Sequence, residues 1–215
     1  METLEEIARR INSALPGANV SIIANPAVPA QSSLLLDHDA AVAVARFLRD
    51  DAALRLDFCS NVSGVDWPER VIKTTVKTTQ VVDGVEKEVA TPREELQPSY
   101  LEAVYHLYSM ELKHGPLVIR LRTADRDQQT RVPSLTPVWK SAELQEREAF
   151  DLYGIRFVGH PDLRRILMWD EFTDYPMRKD YREPDDYDYE PTPHNEIIEK
   201  TARHVATPVE PFAAA

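Results

Sequence analysis

Residues 100–122 read YLEAVYHLYSMELKHGPLVIRLR. The first half, Tyr100 to Met110, is a long aromatic and β-branched run, and His114-Gly115-Pro116 leads into a second. There Leu117, Ile119 and Leu121 alternate with Val118, Arg120 and Arg122, the period of two that turns one face of a strand inward. The two runs predict a central antiparallel pair with one buried face. His106, inside the first run, reads as a hydrogen-bonded sheet residue.

Working upstream, Val71 to Val82 and Val85 to Val89 flank Asp83-Gly84, a pair suited to the two positive φ values of a tight hairpin turn. Their Lys, Thr and Glu side chains suggest a hairpin projecting into solvent. Arg55 to Val65 alternates loosely and stops at Asp66-Trp67-Pro68. Asn19 to Ile23 and Ser33 to Leu36 are short strand candidates. A first helix carries Leu4, Ile7, Ala8, Ile11, Ala14 and Leu15 at three- and four-residue intervals; Thr3 and Glu6 have capping-box spacing, and Pro16-Gly17 ends it. A second begins near Asp37 or Asp39 and carries Ala41, Val44, Ala45 and Leu48 on one stripe.

Downstream, a third helix is predicted from about Val138 to Tyr153. Val138, Ala142, Ala149, Leu152 and Tyr153 share one arc, and Gly154 stands where a left-handed cap is wanted. Glu143, Arg147 and Asp151 lie on the far side at i, i+4, i+8, allowing a charge ladder that the domain's own core does not need. These elements predict an α+β fold, a two-layer domain with a mixed sheet and flanking helices over residues 1–159.

From His160 to Ala215 the character changes. This stretch has no glycine, holds seven of the 16 prolines, and carries 13 acidic against seven basic residues. Pro-rich, Gly-free chain loses less entropy on ordering than a Gly/Ser linker. With Trp169, Phe172, Tyr175, Tyr181, Tyr187, Tyr189 and Phe212 as anchors, residues 160–215 read as an extended tail laid over a partner protein, against the blander reading of a disordered acidic tail.

The net charge of −11 argues against nucleic acid and against anionic lipid, both of which call for basic patches. No apolar stretch approaches the roughly 18 residues of a membrane span. The acidic start Met1-Glu2-Thr3-Leu4-Glu5-Glu6 is unlike a secretory or mitochondrial leader, so the chain is expected to stay where it is made, in a reducing compartment. Cys59, the single cysteine, rules out an intrachain disulfide and a Cys-based cluster.

Candidate chemistry is sparse. Glu146 and Glu148 are two apart on a helix, so their side chains diverge and cannot face one substrate. His160-Pro161-Asp162 resembles half a metal site, with His194 and His204 as remote candidates, but no His pair has zinc-helix spacing. Arg120 with Arg122, or Arg164 with Arg165, are candidate anion ligands, although solvated or interface arginines are commoner. No dinucleotide, P-loop or nucleophile-elbow motif occurs.

Residues 146–181, EREAFDLYGIRFVGHPDLRRILMWDEFTDYPMRKDY, closely resemble the signature of the C-subunit family (the 30 kDa subunit) of respiratory complex I. Tyr105-His106-Leu107-Tyr108-Ser109 is similar to the family's strand, and Pro133-Ser134-Leu135 with Trp139 to its helix entry. The resemblance covers about Leu34 to Tyr181. It departs at Leu144, where an aromatic is usual, at Tyr175-Pro176-Met177, where His-Pro-Leu is usual, and in a longer hairpin over residues 71–89.

The resemblance implies a scaffold subunit of a proton-translocating NADH:quinone oxidoreductase, in its peripheral arm. It implies that the D subunit is the main partner, near the quinone site, with peripheral-arm subunits such as B and I nearby. FMN and iron–sulfur clusters would sit in those other subunits, and this chain would hold no cofactor, metal or catalytic residue. It would lie on the cytoplasmic side of a bacterial inner membrane, held there only through the complex. The implied interface or signature residues are Glu146, Arg147, Glu148 and Asp151 on the helix and Gly154 at its end. They continue with His160, Asp162, Arg164 and Arg165 in the following turn, and with Arg178, Lys179, Asp180 and Tyr181. The alternatives are a homologous subunit of a membrane-bound hydrogenase or other quinone-linked dehydrogenase, and a free-standing acid/base enzyme using Glu148 or His160.

Overall fold

The computed structural model describes residues 2–25, 28, 32–82 and 85–182, with 73–93 described by their backbone alone. The chain divides into two units, Met1–Tyr181 and Arg182–Ala215, and all described residues except Arg182 belong to the first. In chain order the elements are α1 (Leu4–Ala14), β1 (Val20–Ile23), β2 (Ser33–Leu36), α2 (His38–Asp50), β3 (Phe58–Trp67) and β4 (Arg70–Val82). There follow β5 (Val85–Gln97), β6 (Tyr100–Ser109), β7 (His114–Arg122), β8 (Arg131–Pro133), α3 (Ala142–Tyr153) and β9 (Arg156–Val158).

β6 and β7 form the expected antiparallel pair, with Tyr105 opposite Ile119. They are the centre of a five-stranded sheet ordered β1-β2-β7-β6-β3. The sheet is mixed because β2 runs parallel to β7, pairing Leu34 with Ile119, whereas the other neighbours are antiparallel. Ile7 and Ile11 of α1 and Ala41, Val44, Ala45 and Leu48 of α2 share one core with Leu101, Ala103, Tyr105 and Leu107 of β6. Burying each of the larger side chains contributes about 1.5–3 kcal/mol. The Thr3–Glu6 capping box closes the start of α1 on both sides.

Four expectations need correction. β6 is buried on both faces at its start: Tyr100, Glu102 and Val104, which alternate with the core residues, are each 6% exposed or less. Glu102 is covered there by Arg120, Arg122 and Trp67, polar side chains that alternation does not count as cover. The hairpin's return strand β5 runs to Gln97, past Val89, with unbroken register from Val82 opposite Val85 to Arg70 opposite Gln97. Pro92 pairs opposite Thr75, which a two-stranded ribbon tolerates because each strand keeps a free edge. The Asp83-Gly84 turn itself lies outside the described residues.

α3 begins at Ala142 rather than Val138. The Leu135 carbonyl accepts from both Val138 and Trp139 N–H in a preceding turn, while the Trp139 indole donates to the Leu56 carbonyl at 2.8 Å. Finally, the first unit runs to Tyr181, past residue 159. Residues 160–181 fold onto their own domain, and 183–215 of the expected tail lie outside the described residues, along with Tyr187, Tyr189 and Phe212.

Candidate functional site

α3 docks along β3. Gln145 Oε1 accepts from the Val62 N–H at 2.6 Å, and Gly64 leaves room for the Tyr153 ring, which a Cβ there would approach to 2.3 Å. The opposite flank of α3 carries Arg147 and Asp151. They are 8% and 0% exposed and bond to other segments, so the expected charge ladder along the helix does not form.

What buries them is the strap formed by residues 160–181. Asp151 Oδ2 accepts from three successive backbone N–H groups, Ile166 at 3.0 Å, Leu167 at 2.7 Å and Met168 at 2.9 Å. Its Oδ1 takes Arg165 Nη1 at 2.6 Å. Consecutive N–H groups converging on one oxygen form an anion cradle, here filled by the chain's own carboxylate. Burial alone would raise the Asp151 pKa, but the three N–H donors and Arg165 outweigh it and hold the carboxyl below its ordinary value. Arg147 supplies the complement, donating from Nε to the Arg164 carbonyl and from Nη2 to the Arg165 carbonyl, each at 3.2 Å. Arg165 also reaches the Asp174 carbonyl and lies against the rings of Phe172 and Tyr175.

The strap's far end is fastened at a second buried carboxylate, Asp66 at the end of β3, 2% exposed. Arg126 grips it in a fork at 2.6 and 2.7 Å, and the Lys179 N–H adds a bond at 2.7 Å. Burial would raise the Asp66 pKa, and Arg126 with the Lys179 N–H brings it below the ordinary value. Arg126 at the same time holds Asp180 at 2.6 and 2.8 Å. Between the two anchors the strap satisfies the open carbonyls of α3: Met177 N–H donates to Leu152 and Arg178 Nε to Tyr153. Gly154 caps the helix at φ +81° as expected, and a Cβ there would lie 2.7 Å from the Tyr175 ring.

The remaining signature residues take defined places. Glu146, fully buried, accepts from Ser134 Oγ, Tyr105 OH, Thr136 Oγ1 and the Leu135 N–H, tying α3 to the sheet. Burial raises its pKa, and these donors, Ser134 foremost, only partly offset that. Glu148 is exposed on the other side of the helix, diverging from Glu146 as its spacing requires. His160 Nδ1 accepts from the Asp162 N–H at 3.0 Å, so Nε2 carries the hydrogen and donates to the Glu143 carbonyl at 2.9 Å. Asp162 pairs with exposed Arg164. Tyr181 lies edge-on to Phe172, itself packed on Trp169, so aromatic anchors expected to meet a partner meet one another. Among the described residues no group of His, Cys, Asp or Glu is arranged to hold a metal ion. His194 and His204 lie outside them.

Asp66 and Arg126 are not legible from sequence as site residues. Asp66 looks like a strand terminator beside Pro68, and nothing near Arg126 marks it as the bridge between two carboxylates.

The geometry defines an α+β domain whose most distinctive sequence is spent on fastening an irregular segment to its surface. The chain belongs to the family described as "Respiratory-chain NADH dehydrogenase, 30 Kd subunit", whose model matches residues 34–187. It is 36% identical over 180 residues to the C subunit of the NADH-quinone oxidoreductase of Hyphomonas neptunium, covering 84% of this chain and 72% of that protein. It is 42% identical over 137 residues to a C subunit of the NADH-quinone oxidoreductase of Rhizobium etli, the one numbered 2, covering 63% of this chain and 56% of that one. The matched region thus spans little more than half the length of the Rhizobium relative. In fold it is similar to a chain of the membrane-bound sulfane sulfur reductase, an archaeal respiratory membrane complex. That likeness has a TM-score of 0.55 at 18% identity and covers 100% of this chain and 99% of the other.

Proposed function

We propose that this chain is a scaffold subunit in the peripheral arm of a proton-translocating NADH:quinone oxidoreductase, binding the D subunit near the quinone site, with subunits such as B and I as neighbours. The observation that carries this reading is the family match across residues 34–187, which takes in the sheet apart from β1 and the start of β2, and both anchors of the strap. Electrons would run from NADH through FMN and iron–sulfur clusters to quinone in other subunits, and the isolated chain would neither oxidise NADH nor reduce quinone. Its contribution is shape. The strap turns the Arg165 guanidinium and four backbone N–H groups inward, to Asp151 and Asp66, and leaves Leu167 and Met177 at 56% and 54% exposure, with Val158 of β9 at 59%. Leu167 is held by its backbone N–H while its side chain stands free, the arrangement of an apolar contact presented to a partner.

No helix among the described residues is long and apolar enough to cross a membrane, so attachment to the cytoplasmic face of the inner membrane would run through the complex. Purification of a tagged copy from its own host tests the reading. NADH- and flavin-binding subunits and NADH:quinone activity are expected to accompany it. Hydrogenase subunits in their place, or a chain recovered alone, would overturn it.

A further inference from the structure

The sheet face turned away from the helices holds a cavity of about 390 Å3, lined among others by Trp67, Arg70, Tyr100, Glu102, Arg120 and Arg122. Glu102 is 1% exposed and both its oxygens are engaged. One accepts from the Trp67 indole at 2.8 Å and Arg120 Nη1 at 3.0 Å; the other takes Arg122 through Nε and Nη2 at 3.1 and 2.8 Å. Arg120 Nε donates to Ser33 Oγ, and Arg70 Nε to Gln97 Oε1. Arg120 Nη2, Arg122 Nη1 and both terminal nitrogens of Arg70 then have no acceptor among the described residues. Among the described lining residues three guanidinium groups face one carboxylate, an excess of two positive charges in a chain whose net charge is −11.

These guanidiniums are held in place. Arg122 stacks on Tyr100 with its centre 4.0 Å from the ring, and Arg70 lies 5.1 Å from the Trp67 ring. Donors fixed by stacking lose little freedom on meeting an anion, and a planar fork matches a carboxylate through two parallel bonds. We propose that this cavity docks an acidic segment of a partner protein, two of whose carboxylates pair with Arg70, Arg120 and Arg122. The cavity is partly open, which suits side chains entering from a neighbouring surface. Ile23 and the aromatic rings offer apolar wall for their methylene stems. The acidic remainder of the chain repels such a segment elsewhere and so confines it to this spot. The site does not depend on which complex the chain serves, and the co-purification result leaves it untouched.

The test follows the indole N–H signal of Trp67 in the 15N-labelled full chain, assigned by its loss in Trp67→Phe. A blocked Glu-Ser-Glu tripeptide is titrated against its Gln-Ser-Gln counterpart. The acidic peptide is expected to move the signal saturably at low salt, and the neutral one is not. Arg70→Gln is the informative variant, because Arg70 is exposed and among the described residues only donates to Gln97 and lies over the Trp67 ring, so the thermal midpoint should change little. Losing its charge-assisted bonds should weaken binding about tenfold. No saturable shift at millimolar peptide, or a shift that Arg70→Gln leaves unchanged, overturns the proposal. Inorganic phosphate or glutarate binding as tightly as the peptide also overturns it, in favour of a small-anion site.

Discussion

Arg147 and Asp151 stand one turn apart on α3 and grip adjacent stretches of the same segment by opposite polarity. Arg147 donates to the carbonyls of Arg164 and Arg165, and Asp151 accepts from the N–H groups of Ile166, Leu167 and Met168. Together they hold five consecutive residues that have no secondary structure of their own to satisfy them. Asp151→Asn leaves Arg165, only 12% exposed at its side chain, without its counter-charge. The expected loss is about 3–5 kcal/mol in urea unfolding, and Arg147→Ala should cost about 2–3 kcal/mol through its two lost carbonyl bonds. Wild-type stability in both variants would show that the strap is not fastened here.

The pH dependence has two limbs of opposite sign. Burial raises the pKa of Asp66 and of Asp151, but their donors outweigh it, so both end below the ordinary value. Such a group adds stability that is fully present above its unfolded pKa, about 4, and is lost as pH falls through its native pKa. Glu146 is raised by burial, so its contribution is present below its unfolded pKa and lost as pH rises through its native one. Asp151→Asn is expected to flatten the acid limb, and Glu146→Gln the limb above it. Urea midpoints measured against pH check both. Curves parallel to wild type would contradict the assignment.

Gly154 is required twice over, by its φ of +81° and by the Tyr175 ring where a Cβ would go. Gly154→Ala should cost about 2–4 kcal/mol, combining left-handed strain with overpacking. Tyr175→Ala in the same chain should recover the steric share. A double-mutant cycle is therefore expected to show at least about 1 kcal/mol of coupling. Strict additivity would mean the strap does not lie over the helix end.

Much of this fold is legible in the residues. Alternation through Leu117, Ile119 and Leu121 marks β7, Thr3 with Glu6 marks the start of α1, and Gly154 marks the end of α3. The site is less so, for a physical reason. Periodicity weighs apolar side chains, but α3 also buries Glu146, Arg147 and Asp151, whose partners are backbone groups and hydroxyls distant in sequence. The strap likewise looks like a tail because it has no period. It is held by two captured carboxylates and one forked arginine rather than by an apolar stripe.

Cys59 is fully buried and its thiol is pushed up to about 12 by that burial. Iodoacetamide at neutral pH is expected to label it only after the chain unfolds, because the thiolate is the reactive form. Labelling of the native chain at the rate of a free thiol would place Cys59 at the surface.

The central claim is that residues 160–181 are folded onto their own domain before any partner arrives. Native-state hydrogen exchange on the isolated chain measures this at the amides that Asp151 and Asp66 hold. Ile166, Leu167, Met168 and Lys179 should exchange as slowly as amides in α3, and Asp151→Asn should release the first three while Lys179 stays protected. Exchange at the unstructured rate at all four positions in the wild-type chain would contradict the account and return the segment to a tail that only a partner orders.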